Sequence, residues 1–283
     1  MYSAEILADS VVVASRLTTI AVTMPRIVLA EQNTHRVFSR NTASSRAIPV
    51  KTRCDYVEQH PFIPSAFGKN KRGMQSDELL NTEDNALAEQ IWREALADAL
   101  RHARRLADIG VHKQYANRLT EPFAWVTQIV SATDWDNYFA LRCHKDAQPE
   151  IRLAAEITKE VLDNNSPVEL KEGQWHLPLV TEADVVAANS LNPDSCGALL
   201  AISVARCAAV SYEKHATQKT VLEEIARHDA LLSSGHMSPF EHQAKVGNHS
   251  DLEKAEGYIG NFRKPWIQYR KQLPNEAVFV SPV

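Results

Sequence analysis

The sequence predicts an α+β fold, a small antiparallel sheet with several helices. Three observations point there. Extended apolar stretches gather in the first fifty residues, helical apolar stripes fill most of the rest, and there is no internal repeat or low-complexity tract. Residues 4–8 read as a short strand and 17–24 as a second, with Leu17, Ile20, Ala21 and Val22 ahead of Pro25. Residues 27–30 (IVLA) form a third strand-like stretch. Residues 55–76, rich in Pro, Gly, Lys and Asn, read as a loop or lid extending to about residue 80 within a single domain spanning 1–283. Residues 82–109 predict a long helix, opened by Thr82, Glu83 and Asp84 and stopped by Gly110. Its apolar stripe is Leu87, Ile91, Ala95, Leu96, Leu100 and Leu106. Further helices are expected at 112–119, broken by Pro122, at 135–141, and at 150–162 with Ile151, Ala154, Ile157 and Val161 on one face. Residues 164–196 read as a connecting excursion, followed by helices at 198–209 and 220–232.

Composition excludes several classes. Lys and Arg total 31 against 35 for Asp and Glu, a net charge of −4, so a basic coat for duplex nucleic acid is not expected. No apolar run approaches the roughly 20 residues a membrane-spanning helix needs, and the start of the chain lacks a signal-peptide pattern. Cys54, Cys143, Cys196 and Cys207 form no C-x-x-C pair. That argues against a zinc ribbon and a disulfide framework, and for a cytosolic chain. The nine glycines make neither G-x-G-x-x-G nor a phosphate-cradling loop. Side chains must therefore hold the phosphates of any nucleotide cofactor.

Four segments carry candidate chemistry. Between Gln32 and Cys54 there is no acidic residue, yet Arg36, Arg40, Arg46, Lys51 and Arg53 sit there among hydroxyls. Such a set suits phosphate oxygens, although a basic run alone is more often a solvated loop. The stretch 235–242 (GHMSPFEH) invites a metal reading through His236, Glu241 and His242. Its spacing does not fit a helical His-Glu-x-x-His pair, and Ser238 with Glu241 fits a capping box. In 135–150, Cys143 and His144 are adjacent and so point apart on a helix, which argues against a nucleophile–base pair. Arg142 follows an aromatic-rich helix suited to holding a half-buried guanidinium, positioned to clamp a planar polar group. The fourth, 203–212, is a helix of small residues ending in Ser211 and Tyr212.

Together these segments resemble the flavin-dependent thymidylate synthases. The family signature R-H-R-x-x-S-x-N-E-x-S-x-R-Y is echoed by residues 34–47, with His35, Arg36, Ser39, Asn41, Ser44 and Arg46 in register. Residues 235–242 are similar to the family's G-H-x-[ST]-x-x-E-H segment, Arg206 to Ser211 to its R-x-x-x-x-S helix, and Asn137 to Gln148 to its N-F-x-x-L-R…A-Q segment. Arg118 ahead of Pro122 looks like its upstream arginine. The order is unusual: in common members the serine helix and the G-H segment precede the arginine signature, whereas here they follow it. This resembles a rearranged branch associated with bacteriophage genomes, which implies a location in the cytoplasm, the host's if phage-encoded. Rearrangement is physically permitted where termini and loops meet at the surface.

What the resemblance implies is a thymidylate-synthase-complementing fold that assembles as a homotetramer and methylates dUMP. FAD is reduced by NADPH, and methylenetetrahydrofolate supplies the carbon. Arg142 is the implied catalytic residue, stabilising charge on the pyrimidine. Glu31, Thr34, Thr42, Ser44, Ser45, Arg46 and Arg118 are the implied substrate contacts. His35, Arg36, Ser39, Asn41, Ser131, Thr133, Asn137, Ser211, His236, Ser238 and Glu241 are the implied flavin contacts, with no metal. The sequence departs from the pattern at Thr34, Thr42 and Ala47, at Glu31 where Gln is common, and at Ser131 and Thr133. The threonines remove charges from expected contacts. A related dUMP hydroxymethylase for phage DNA modification shares these features. A non-catalytic nucleotide- or nucleic-acid-binding protein would use the 36–53 loop and leave Arg142 and residues 235–242 unexplained.

Overall fold

In the computed structural model, which describes residues 1–278 apart from 74, 75, 77, 192–194, 211–218, 255–259 and 275, the chain opens with a hairpin. β1 (Ser3–Val12) and β2 (Ser15–Pro25) pair antiparallel with a bulge between Ile6 and Ala8. There follow α1 (Leu29–Gln32), β3 (Ser39–Thr42), α2 (Val50–Gln59), α3 (Thr82–Asp108), α4 (Lys113–Ala116), β4 (Trp125–Ala132), α5 (Asp136–Arg142) and α6 (Pro149–Asp163). Beyond these come β5 (Val168–Glu169), β6 (Trp175–His176), α7 (Glu182–Leu191), α8 (Cys196–Ala208), α9 (Val221–Ser233), β7 (Ala244–Val246), α10 (His249–Lys254) and β8 (Trp266–Gln268). The α+β class holds, with two sheets where one was expected. The larger has the order β3-β4-β2-β1-β5, antiparallel except where β5 joins β1. The smaller is β6-β7-β8, antiparallel throughout.

β2 is central and covered on both sides, so Leu17, Thr18, Thr19 and Ile20 are all at 0% exposure. On one face Ile20, Val22 and Met24 pack with Val126 and Val130 of β4 against Ile151, Ala154 and Ala155 of α6. On the other, Leu17 meets Ala244, Val246 and Trp266 of the second sheet, and Ile129 meets Cys207 of α8. Each large aliphatic side chain so buried is worth about 2 kcal/mol. A third cluster packs Leu96, Leu100 and Ala103 of α3 onto Cys54 and Val57 of α2 and onto Phe123.

Several expectations need correction. Residues 27–30 are not a strand: after Pro25 a 3₁₀ turn, Arg26–Val28, leads into α1. The 55–76 loop starts late, because α2 continues to Gln59. The part after it is held by a bridge between Gly68 and Leu79 and by Asn85, which accepts from the Phe67 N–H at 2.9 Å. The α3 stripe is only half right. Leu96 and Leu100 are buried, but Leu87 and Ile91 are 54% and 57% exposed, since the packed stretch of this long helix begins near Trp92. Pro122 does not break a helix but lies inside a 3₁₀ turn, Asn117–Phe123. The 164–196 excursion contains β5, β6 and α7. Ser238 caps nothing: it starts a 3₁₀ turn whose N-cap is Met237, and its hydroxyl turns to Asn41. A true capping box forms instead at Thr220 and Glu223.

Candidate functional site

Arg142 ends α5, where a cation faces the negative end of the helix dipole. Its Nε donates to His35 Nε2 at 2.9 Å, and its Nη2 donates to the Glu31 carbonyl at 3.2 Å and to Thr34 Oγ1 at 3.0 Å. α1 and the turn after it thus present three acceptors to one guanidinium. His35 is buried, stacked on Phe38 at 5.7 Å and set edge-on to Tyr138 at 4.9 Å. Burial first, then the charges of Arg142 and Arg40, push its pKa down to about 4. The ring is therefore neutral at neutral pH, and an accepting Nε2 requires the proton on Nδ1.

A second group forms around Glu121, in the 3₁₀ turn that precedes β4. Its Oε1 accepts from Ser45 Oγ at 2.7 Å and from Arg118 Nη1 at 2.9 Å, and Arg26 Nη2 lies 3.1 Å away. Burial alone would raise this carboxyl, but the Ser45 hydroxyl and the two guanidiniums outweigh it and hold the pKa down. Asn117 fixes the neighbouring loop by donating to the carbonyls of Ser45 and Ile48 at 2.7 and 2.9 Å. Ser44 is beside this group, whereas Arg46 stands at the surface of the following turn. Thr42 lies on β3 and accepts from Gln128 Nε2 at 2.6 Å.

The third group lies between the two sheets. A chain of buried polar atoms runs from Ser10 Oγ to His176 Nδ1 (2.9 Å), His176 Nε2 to Thr19 Oγ1 (2.8 Å), Thr19 to Ser131 Oγ (2.6 Å), and Ser131 to His242 Nδ1 (2.8 Å). Full burial drives both histidines down to about 3. Ser39 is likewise at 0% exposure and accepts from Gln268 Nε2 at 2.8 Å. Asn41 donates to the Cys207 carbonyl at 2.8 Å and accepts from Ser238 Oγ at 2.9 Å, tying β3 to α8 and to the 238–241 turn. Glu241 pairs with Arg270, and Thr133 accepts from the Arg263 N–H at 3.1 Å. His236 is exposed and bonded to Ser234; Asn137 and Arg36 are exposed. Ser211 lies outside the described residues.

The structure thus brings Glu31, Thr34, His35 and Arg142 into one cluster, and Ser45 and Arg118 into another. It places Ser39 and Ser131 inside the sheet packing. Sequence reasoning missed Arg26 and Glu121. It also missed the partners of Arg206, which bonds Asp184 twice at 2.7 Å and lies 3.5 Å from Glu224. Nothing in their spacing marks such pairs, which join different elements. Among the described residues no cluster of metal-ligating side chains occurs, and no helix is long and apolar enough to cross a membrane.

No curated protein matches the sequence. Among solved structures, the chain is similar to a UMP/dUMP methylase, PolB, from Streptomyces cacaoi, in crystal structures bound with 5-Br dUMP and with 5-Br UMP. Each match has 19% identity, a TM-score of 0.44 and 52% coverage of this chain, and they span 66% and 68% of the methylase chains. The family profile described as thymidylate synthase complementing protein matches residues 12–168, which hold the Arg142 and Glu121 clusters but not residues 235–242. With more than half of its length matched, the chain belongs to the thymidylate synthase complementing protein family.

Proposed function

We propose that this chain methylates dUMP to dTMP, with methylenetetrahydrofolate as carbon donor and NADPH as the reductant of FAD. The observation that carries this reading is the fixed guanidinium of Arg142. Three acceptors hold its Nε and Nη2, while its Nη1 has no partner among the described residues. A permanently charged donor so oriented stabilises negative charge on a pyrimidine carbonyl and makes the ring carbon C5 nucleophilic. In this reading Glu31 and Thr34, which hold Arg142, and Thr42 on β3 contact the substrate, and Ser44, Ser45, Arg46 and Arg118 serve its phosphate.

The donor set fits a flavin dinucleotide. Arg36 and Asn137 are exposed and Ser238 sits beside Asn41, giving charged and neutral donors for phosphate and ring oxygens. His35, Thr133, Ser211, His236 and Glu241 complete the proposed contacts, with Ser39 and Ser131 acting from behind through the strands they hold. When bound, FAD supplies the hydride that completes the methyl group. The working assembly in this reading is a homotetramer in the cytoplasm.

The first test is the visible spectrum of the purified protein after FAD is added and the excess removed. Retained flavin bands that bleach under NADPH, followed by dTMP formation from dUMP, are expected. A colourless protein overturns the reading. Hydroxymethyl-dUMP as product would assign the hydroxymethylase instead.

A further inference from the structure

α3 is packed on one side only. Leu96, Leu100 and Ala103 face α2 and Phe123. The opposite side carries Ile91, Glu94, Asp98, Arg101 and Arg105 and, just past the last turn, Ile109. All six are exposed, Ile91 at 57% and Ile109 at 76%. From Ile91 to Arg105 the steps are three, four, three and four residues. That is the heptad rhythm of a seam between two helices, narrower than the stripe of a helix lying on a core. A straight strip of outward side chains with an isoleucine at each end is shaped to receive another helix.

The order of side chains along the strip says which helix. From its N-terminal end it runs apolar, acidic, acidic, basic, basic, apolar. Turned end for end, its acids fall where its bases stood. Two copies laid antiparallel, with a two-fold axis between Asp98 and Arg101, set Ile91 opposite Ile109 of the second copy. Glu94 then meets its Arg105, Asp98 meets its Arg101, and the symmetry makes each pair twice. A parallel pairing would set like charges against like and is excluded. Within one copy Asp98 already bonds Arg101 at 2.8 Å. A second copy closes that pair into a ring of four charges of alternating sign. The flanking cations take no part, since Arg93 pairs with Glu89 and Arg104 with Glu58, each at 2.7 Å.

We propose that the outer face of α3 is a contact surface for a second copy of this chain, the two helices packing antiparallel about a two-fold axis beside Asp98 and Arg101. The number of copies in the whole assembly rests on the homotetramer reading above; this contact does not. The isoleucines supply the apolar ends, and the charges between them fix direction and register.

The test is sedimentation equilibrium of the full chain, unsubstituted and in two double variants. Glu94→Arg with Asp98→Arg makes the strip wholly basic, and Arg101→Glu with Arg105→Glu makes it wholly acidic. Each variant alone should raise the dissociation constant of this contact about 100-fold and halve the copy number. An equimolar mixture of the two should restore it, because the basic strip then faces the acidic one. Ile91→Ala with Ile109→Ala serves should a charge variant fail to fold, with a loss of about 10-fold. Folded variants that keep the full copy number overturn the contact and leave the homotetramer reading standing, and so does a mixture that restores nothing. A dimer that both charge variants dissolve and their mixture rebuilds supports the contact and removes the tetramer. An unsubstituted chain that stays monomeric overturns both.

Discussion

Arg142 Nε donates to His35 Nε2 across 2.9 Å, and a nitrogen that accepts this bond carries no proton. His35 is therefore a positioning residue for the guanidinium. His35→Ala should lower kcat/KM for dUMP about 100-fold, mostly through kcat, because the guanidinium loses its orientation. His35→Gln, which keeps an acceptor, should recover part of that loss. Equal defects in the two variants would refute the positioning role.

The same pair has a titration signature. Burial is the larger cause of the His35 shift to about 4 and Arg142 the second. In Arg142→Met the ring should titrate above about 4 yet remain below the free value of 6.5. An NMR titration of the His35 ring in both proteins checks this.

His176 and His242 set the acid limit of stability. Both are wholly buried and neutral, with pKa near 3 against 6.5 in the unfolded chain. Between those values the unfolded state binds more protons, so their stabilising contribution is complete above pH 6.5 and is lost as pH falls toward 3. At pH 5.5 the loss should be about 1 kcal/mol per histidine. Urea denaturation at pH 7.5 and 5.5 measures it, and His242→Gln should flatten the dependence.

Asp184 should be the costliest carboxylate to remove. It pairs with Arg206 in a largely buried site that lowers its pKa to about 2: desolvation opposes the shift, but the Arg206 and Thr181 hydrogen bonds outweigh it. Asp184→Ala should destabilise the fold by about 3 kcal/mol, because the half-buried Arg206 keeps the Leu179 carbonyl but has only Glu224 left as a counter-charge, 3.5 Å away. A change under about 1 kcal/mol in a denaturation midpoint analysis would contradict this.

Val13, at the tip of the β1–β2 hairpin, has φ of 55° and is 96% exposed. A β-branched residue in the left-handed region costs about 1–2 kcal/mol. Val13→Asn should therefore raise the melting temperature by about 2–4 °C. A scanning calorimetry trace of the two proteins decides it.

The long elements were legible in the sequence and the short ones were not. α3, α6, α8 and α9 announce themselves through apolar spacing and caps, and β1 and β2 through extended apolar runs. β5 to β8 have two or three residues each, too few for any period to register. α7 hid because it buries only Asp184 and Ala188, leaving no apolar stripe. Residues 27–30 misled because an apolar run of four fits a strand and a buried turn equally. For the candidate site, motif spacing singled out Arg142 and His35, which the structure brings to 2.9 Å of each other. The grouping of Arg26, Ser45 and Arg118 around Glu121 joins positions up to 95 apart, which no local pattern encodes.

The parallel pairing of β5 with β1 has one further consequence. Ser10 sits opposite Val168 and Val11 opposite Glu169. The stretch that carries the family pattern, 12–168, thus begins and ends at the same corner of the sheet. A block of chain that departs at Glu169 leaves from beside the point where a block feeding into Val12 would arrive. β2, β4 and β3 lie wholly inside the stretch and pair with one another there, so that three-strand unit does not depend on where such a block is joined.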